Sequence, residues 1–327
     1  MYAVLVEGGK TKTLSIVVDE HGCILGYSLS GSSGWTTIGF DKASENLVES
    51  IVSAVRKSSL KANEIDLAIL GLPDIDTEEA KEYFAKRLKS LGLFKVDAII
   101  VPDFVIAYYA VTLGDPGIAV IAGTGSIAYG RNSRNVSARA GGWGWFGGDE
   151  GSAIWIAMKA VEAAGKYFNG RGPKTLIGKK ILSFFNIENP LQLINIVYSR
   201  VREDVGELGQ LARVVDEAAE EGDQLAQEIL IEGGRELALM AKAVYDKIYI
   251  SEDAFVVGGV GSVYSSRTLR NSFIENIKRY LPNVGVVEPI TQYMPVKGLA
   301  ALLTEKLHLP RGIVESVVEG VHRISVK

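Results

Sequence analysis

The sequence predicts an α/β protein made of two similar domains. Three observations carry this. The chain has 327 residues, more than one small hydrophobic core usually spans, so two domains are expected. Its 47% hydrophobic and 23% charged residues are the proportions of a folded globular protein. One pattern also occurs twice: short β segments joined by a Gly/Thr turn, then further strands and helices.

Residues 2–7 (YAVLVE) form a β-rich run ending at Gly8-Gly9, and 13–19 (TLSIVVD) form a second. Asp19-Glu20-His21-Gly22 is a hairpin turn, and 23–30 (CILGYSLS) a third strand. Over 42–57 the apolar residues Leu47, Val48, Ile51, Val52 and Val55 recur at helical spacing. DLAIL (66–70) is a buried strand closed by Gly71-Leu72-Pro73, and 77–91 an amphipathic helix with Thr77 as N-cap. DAIIV (97–101) is another buried strand, stopped by Pro102-Asp103, and 104–113 is a helix. After the turn at 113–117 the pattern restarts. GIAVIA (117–122), SIAYGR (126–131) and VSARA (136–140) repeat the meander, with Gly123-Thr124-Gly125-Ser126 where Gly-Gly-Lys-Thr stood. The repeat predicts a duplicated fold with the two Gly/Thr turns facing each other. Residues 151–168, 173–184 and 190–250 are mostly helical. A strand at 254–259, a helix near 264–280, a strand at 284–288 and helices at 296–307 and 312–323 complete the chain. The expected division is 1–115, 116–309 and a C-terminal helix, 310–327, returning to the first domain.

Composition excludes several classes. Net charge is −4 and no block of Lys/Arg occurs, so neither nucleic acid nor an anionic membrane is an expected partner. One cysteine, Cys23, rules out a disulfide framework and a thiolate-rich metal cluster. No apolar run reads as a membrane span or signal peptide, and a cytoplasmic enzyme is expected. The 36 glycines exceed the number expected at this length by about a dozen. Such an excess belongs where the backbone turns sharply or approaches a ligand.

The glycine clusters are therefore the first candidates. Gly8-Gly9-Lys10-Thr11-Lys12-Thr13 is either a plain hairpin with exposed lysines or a cradle of N–H groups, hydroxyls and ammonium groups for phosphate. It is not a Walker A loop, because Val4 stands where that motif needs glycine. Gly123, Gly125 and Ala128 match a dinucleotide-binding pattern, but a strand follows where that motif needs a helix. In 141–151 six of eleven residues are glycine, beside Trp143, Trp145 and Phe146. A formed binding surface is expected there, with Trp143 as an apolar sugar-facing wall or as a core residue. Asp149 and Glu150 stand at a helix start, where anions are favourable. Asp103 lies at the C-terminal edge of a buried strand; it either caps the next helix or accepts a hydroxyl proton.

Taken together, VEGGKTKT (6–13), VPDF (101–104), GIAVIAGTGSIAYGRN (117–132), GGWGWFGGDEGSAIWI (141–156), NGRGPKTL (169–176), VDEAAEEGD (215–223) and VVGGVGSVY (256–264) resemble the N-acetylglucosamine kinase and archaeal hexokinase group. That group lies among the benzoyl-CoA reductase activator-type (BadF/BadG) ATPases of the actin/hexokinase/Hsp70 superfamily. The resemblance implies two ribonuclease H-like (actin-like ATPase) domains with an interdomain cleft. It implies an ATP- and Mg²⁺-dependent sugar kinase acting on the 6-hydroxyl of a hexose or (N-acetyl)hexosamine, as a homodimer. Asp103 would be the base and Glu7 the residue oriented toward Mg²⁺. Gly8, Gly9, Lys10, Thr11, Lys12 and Thr124 would face nucleotide phosphate; Gly258, Gly259, Gly261 and Ser262 would face adenosine. Gly34, Trp35, Ser126, Gly142, Trp143, Gly144 and Asp149 would line the sugar site with Asp103. Departures from the group are Lys10 in place of a third glycine, Gly34-Trp35 where a sugar-contacting Asn is usual, and Pro73-Asp74 in a stretch usually of small residues. The alternative is an ATP-driven activator of the same superfamily, but Cys23 alone cannot supply the ligands of its shared iron–sulfur cluster.

Overall fold

In a computed structural model, residues 1–90, 92, 98–203, 205–251, 254–291 and 295–325 are described. The start of the expected strand at residue 97 and the end of the expected helix at residue 91 lie outside them. The chain divides into two compact units: Met1–Gly114 with Met294–Lys327, and Asp115–Tyr293.

The first unit carries a five-stranded sheet. Its strands are β1 (Tyr2–Gly8), β2 (Lys12–Asp19), β3 (Ile24–Gly31), β4 (Leu67–Leu72) and β5 (Ile99–Pro102), in the order β3-β2-β1-β4-β5. β1 to β3 form an antiparallel meander, while β4 and β5 run parallel to β1. Ala3, Val4, Leu5 and Val6 are all buried, the unbroken apolar run of a central strand covered on both faces. The helix Phe40–Lys57 packs against β2 and β3, and Thr77 Oγ1 accepts the Ala80 backbone N–H at 3.3 Å, capping the helix Glu78–Ser90.

The helix Asp103–Thr112 is apolar almost all round and buried, as a helix covered on every side must be. It packs against the helix Pro295–Leu307. A Cβ on Gly298 would lie 2.0 Å from the Ile106 carbonyl oxygen, so only glycine allows this approach. The later helix thus sits in the first unit, whereas sequence placed 296–307 with the second domain. The last helix, Gly312–Ser325, belongs to the same unit and meets β3, with Gly320 against Ile24.

The second unit repeats the sheet. Its strands β6 (Gly117–Ala122), β7 (Ser126–Arg131), β8 (Ser137–Gly141), β9 (Val256–Val260) and β10 (Gly285–Ile290) stand in the order β10-β9-β6-β7-β8. The meander and the parallel pairs match those of the first unit strand for strand. The expected helical stretch 190–250 is divided into Gln192–Glu203, Leu211–Glu220 and Gln224–Ile248. Gly222 turns with φ +89°, and Asp223 accepts the Ala226 N–H at 2.9 Å to start the last of them. Among the described residues no helix is long and apolar enough to cross a membrane.

Candidate active site

In the first unit, Glu7 is the penultimate residue of β1, between Leu14 of β2 and Gly71 of β4. Burial raises its pKa, and the ammonium of Lys12 opposes the rise. The turn that follows is tight. A Cβ on Gly8 would lie 2.4 Å from Ser33 Oγ, and one on Gly9 2.9 Å from the Lys12 carbonyl oxygen. The Ser33 N–H donates to the Gly9 carbonyl at 3.0 Å, while Ser33 Oγ is buried without a hydrogen-bond partner among the described residues. Such a hydroxyl costs about 1–3 kcal/mol until something pairs with it. Thr11 and Lys12 are exposed.

Lys10 points away from a purely phosphate-binding role. Its Nζ stands 3.4 Å from Asp74 Oδ1. Asp74 Oδ2 accepts the Thr36 hydroxyl at 2.6 Å, and the Asp74 carbonyl accepts the Trp35 indole N–H at 2.7 Å. The Trp35 ring stacks on Phe40 with centroids 4.1 Å apart, so it is anchored in its own unit, and its polar edge holds the Asp74 loop.

Asp103 opens its helix directly after β5, and Pro102, not Asp103, is the N-cap. The pKa of Asp103 is pushed up to about 6. Loss of hydration among surrounding protein atoms is the main cause; the backbone N–H of Phe104 opposes it, Asp76 and Asp74 add to it, and Lys10 offsets part. The side chain is nevertheless exposed to solvent. Crowding and access coexist when a group is walled on several sides and open on one, and access decides whether an acceptor can reach it.

In the second unit, the β6–β7 turn presents Thr124 to solvent. Its carbonyls anchor the next long helix: the N–H groups of Ala153 and Ile154 donate to Gly123 and Thr124 at 2.9 and 3.4 Å. A Cβ on Gly125 would lie 2.7 Å from Asp149 Oδ2, so the buried Asp149 carboxylate covers this glycine. Ser126 Oγ donates to the Glu150 carbonyl at 2.8 Å, and the Gly142 N–H to the Ser126 carbonyl at 2.9 Å. Ser126, Gly142 and Asp149 are thereby brought together. Gly142 has φ +72°, which a side chain would strain. Beyond it, Trp143 is 79% and Phe146 90% exposed, so Trp143 is a surface ring and not a core residue; Gly144 shares this exposed loop.

A cavity of about 380 Å³ lies wholly within this unit. Thr124 and Ser262 line it with Gly209, Gln210, Arg213 and Asp216. Gly258, Gly259 and Gly261 do not. A Cβ on Gly259 would lie 2.5 Å from the Tyr264 ring, and one on Gly261 2.2 Å from the Ala122 carbonyl oxygen, so these two glycines serve packing inside the unit. Sequence reasoning missed Arg213 and Asp216. The signal available was their i, i+3 spacing on one helix face, with Asp216 inside the 215–223 motif and Arg213 just before it.

Comparison with known proteins settles the family. A family model described as the BadF/BadG/BcrA/BcrD ATPase family matches residues 6–304. The chain belongs to the BadF/BadG/BcrA/BcrD ATPase family. One relative is the N-acetylmuramic acid/N-acetylglucosamine kinase of Clostridium acetobutylicum, 33% identical over 287 residues, 88% of this chain and 93% of that protein. The N-acetyl-D-glucosamine kinase of Dictyostelium discoideum is 27% identical over 307 residues, 91% of this chain and 96% of that one. Among solved structures, a Chromobacterium violaceum protein assigned as an N-acetylglucosamine kinase superposes with a TM-score of 0.71 at 22% identity, covering 92% of this chain and 98% of its own. The two units of this family member therefore have the actin-like ATPase fold.

Proposed function

We propose that this ATPase-family member is an ATP-dependent sugar kinase that phosphorylates a hexose or (N-acetyl)hexosamine, at the 6-hydroxyl. The observation that carries it is Asp103: an accessible carboxylate at a strand end, with its pKa near about 6, in the unit that also bears the Gly8–Thr11 turn. Names of the two curated relatives support the substrate class.

Asp103 accepts the acceptor hydroxyl proton as that oxygen attacks the terminal phosphorus and the ADP oxygen leaves. The turn residues Gly8, Gly9, Thr11 and Lys12 supply donors for phosphoryl oxygens, and the Ser33 hydroxyl beside Gly8, without a partner among the described residues, fits a ligand at this turn. Within the second unit, Thr124 is assigned to nucleotide phosphate, and the cavity that it lines with Ser262, Arg213 and Asp216 takes the nucleoside. Ser126, Gly142, Trp143, Gly144 and Asp149 contribute to the acceptor side.

No group of three His, Cys, Asp or Glu among the described residues is placed to hold a metal. A Mg²⁺ ion that arrives with nucleotide needs only one or two protein carboxylates, and Glu7 at the turn fits that role. Bound there, the ion would neutralise charge on the phosphates. A cytoplasmic location and a homodimeric state are part of the same proposal, and light scattering tests the second.

ADP release measured against glucose, glucosamine, N-acetylglucosamine and N-acetylmannosamine decides the assignment. Sugar-stimulated release supports it. Release unaffected by every sugar would instead favour an ATP-driven switch.

A further inference from the structure

Three residues from separate segments of the first unit meet beside the glycine turn. Lys10 Nζ is 3.4 Å from Asp74 Oδ1. Gly34 is buried, and a Cβ there would lie 3.3 Å from Lys10 Cγ and 3.4 Å from Asp74 Oδ2. The space beside position 34 is thus already taken by a charged pair. Asp74 is held further by Thr36 and, through its carbonyl, by Trp35. It keeps a left-handed backbone, φ +61°, a conformation retained in a non-glycine residue only where surroundings enforce it. Its side chain is 14% exposed and that of Lys10 64%.

We propose that Asp74 selects the acceptor and that Lys10 is its positioning residue. The proposal rests on the kinase assignment above. A carboxylate only accepts hydrogen bonds, so it favours hydroxyl or ammonium groups on the sugar and repels a carboxylate. The charges of Asp74 and Asp76 both reach Asp103, so an acidic acceptor docked against Asp103 meets the repulsion of all three carboxylates, and Lys10 is the counter-charge that keeps the Asp74 carboxylate in place. The acceptor class is therefore a neutral or amine-bearing hexose, with acidic amino sugars rejected.

The test is steady-state ADP release by wild type, Asp74→Asn, Lys10→Met and Lys10→Arg. Acceptors are glucose, glucosamine, N-acetylglucosamine and the carboxylate-bearing N-acetylmuramic acid. Asn tolerates a left-handed backbone, so the fold is expected to survive, and melting curves check it. For wild type, N-acetylmuramic acid should be the poorest acceptor. Asp74→Asn should raise KM for the best acceptor about tenfold, as loss of a charged hydrogen bond does, leave KM for ATP unchanged, and narrow the gap to N-acetylmuramic acid. Lys10→Met should raise the acceptor KM, and Lys10→Arg should restore it. An unchanged acceptor ranking in Asp74→Asn, or a Lys10→Met variant altered only in KM for ATP, would overturn the proposal while leaving the kinase assignment intact. No sugar-stimulated release from wild type would overturn both.

Discussion

The ammonium of Lys10, on the first glycine turn, stands 3.4 Å from the carboxylate of Asp74, on the loop after β4. An ion pair with one exposed partner contributes about 0–1 kcal/mol. It can therefore be rearranged by a ligand without unfolding its surroundings. Lys10→Met is expected to lower the unfolding free energy by less than about 1 kcal/mol in urea titrations. A loss of several times that would make the pair a structural support.

As the proposed general base, Asp103 can accept a proton only when ionised. Its pKa near about 6 predicts that kcat/KM rises with pH through about 6 and then levels. Asp103→Asn should cut turnover by about 10²- to 10⁴-fold, the usual contribution of a general base, with ATP affinity retained in calorimetric titrations.

The same shift fixes a sign for stability. The folded protein holds the Asp103 proton more tightly than the unfolded chain, where Asp titrates near about 3.9. The stabilising contribution is complete below that value and is lost as pH rises through about 6. Asp103→Asn should therefore melt no lower than wild type at pH 7, and its advantage should shrink at pH 4. A lower Tm at pH 7 would contradict this.

Gly125→Ala places a methyl group 2.7 Å from Asp149 Oδ2. Overpacking of this kind costs about 1–3 kcal/mol. The expected outcome is a lower Tm, because Asp149 must move, together with a raised acceptor KM under the proposed placing of Asp149 on the acceptor side.

Trp143 is highly exposed, so Trp143→Ala should change stability by no more than about 0.5 kcal/mol. If the ring is a sugar wall, acceptor KM rises about tenfold on losing an apolar contact of that size, while KM for ATP stays. Gly209→Leu should do the reverse, since it fills the cavity of the second unit: ATP binding weakens and acceptor KM holds.

Much of the fold was legible in sequence because its signals are local. Period-two alternation in SIAYGR, unbroken apolar runs in YAVLV and GIAVIA, and glycine turns between them are properties of neighbouring residues. They determined two matching meander units and placed Glu7, Asp103 and Thr124 at strand ends. The tertiary structure alone decided how distant segments share space. It paired Lys10 with Asp74 beside Gly34, laid Asp149 over Gly125, and turned Gly259 and Gly261 toward Tyr264 and Ala122. It also packed Pro295–Leu307 against Asp103–Thr112 in the first unit. Such contacts depend on the register between strands and on which atoms fill each gap, and no periodicity along the chain encodes either.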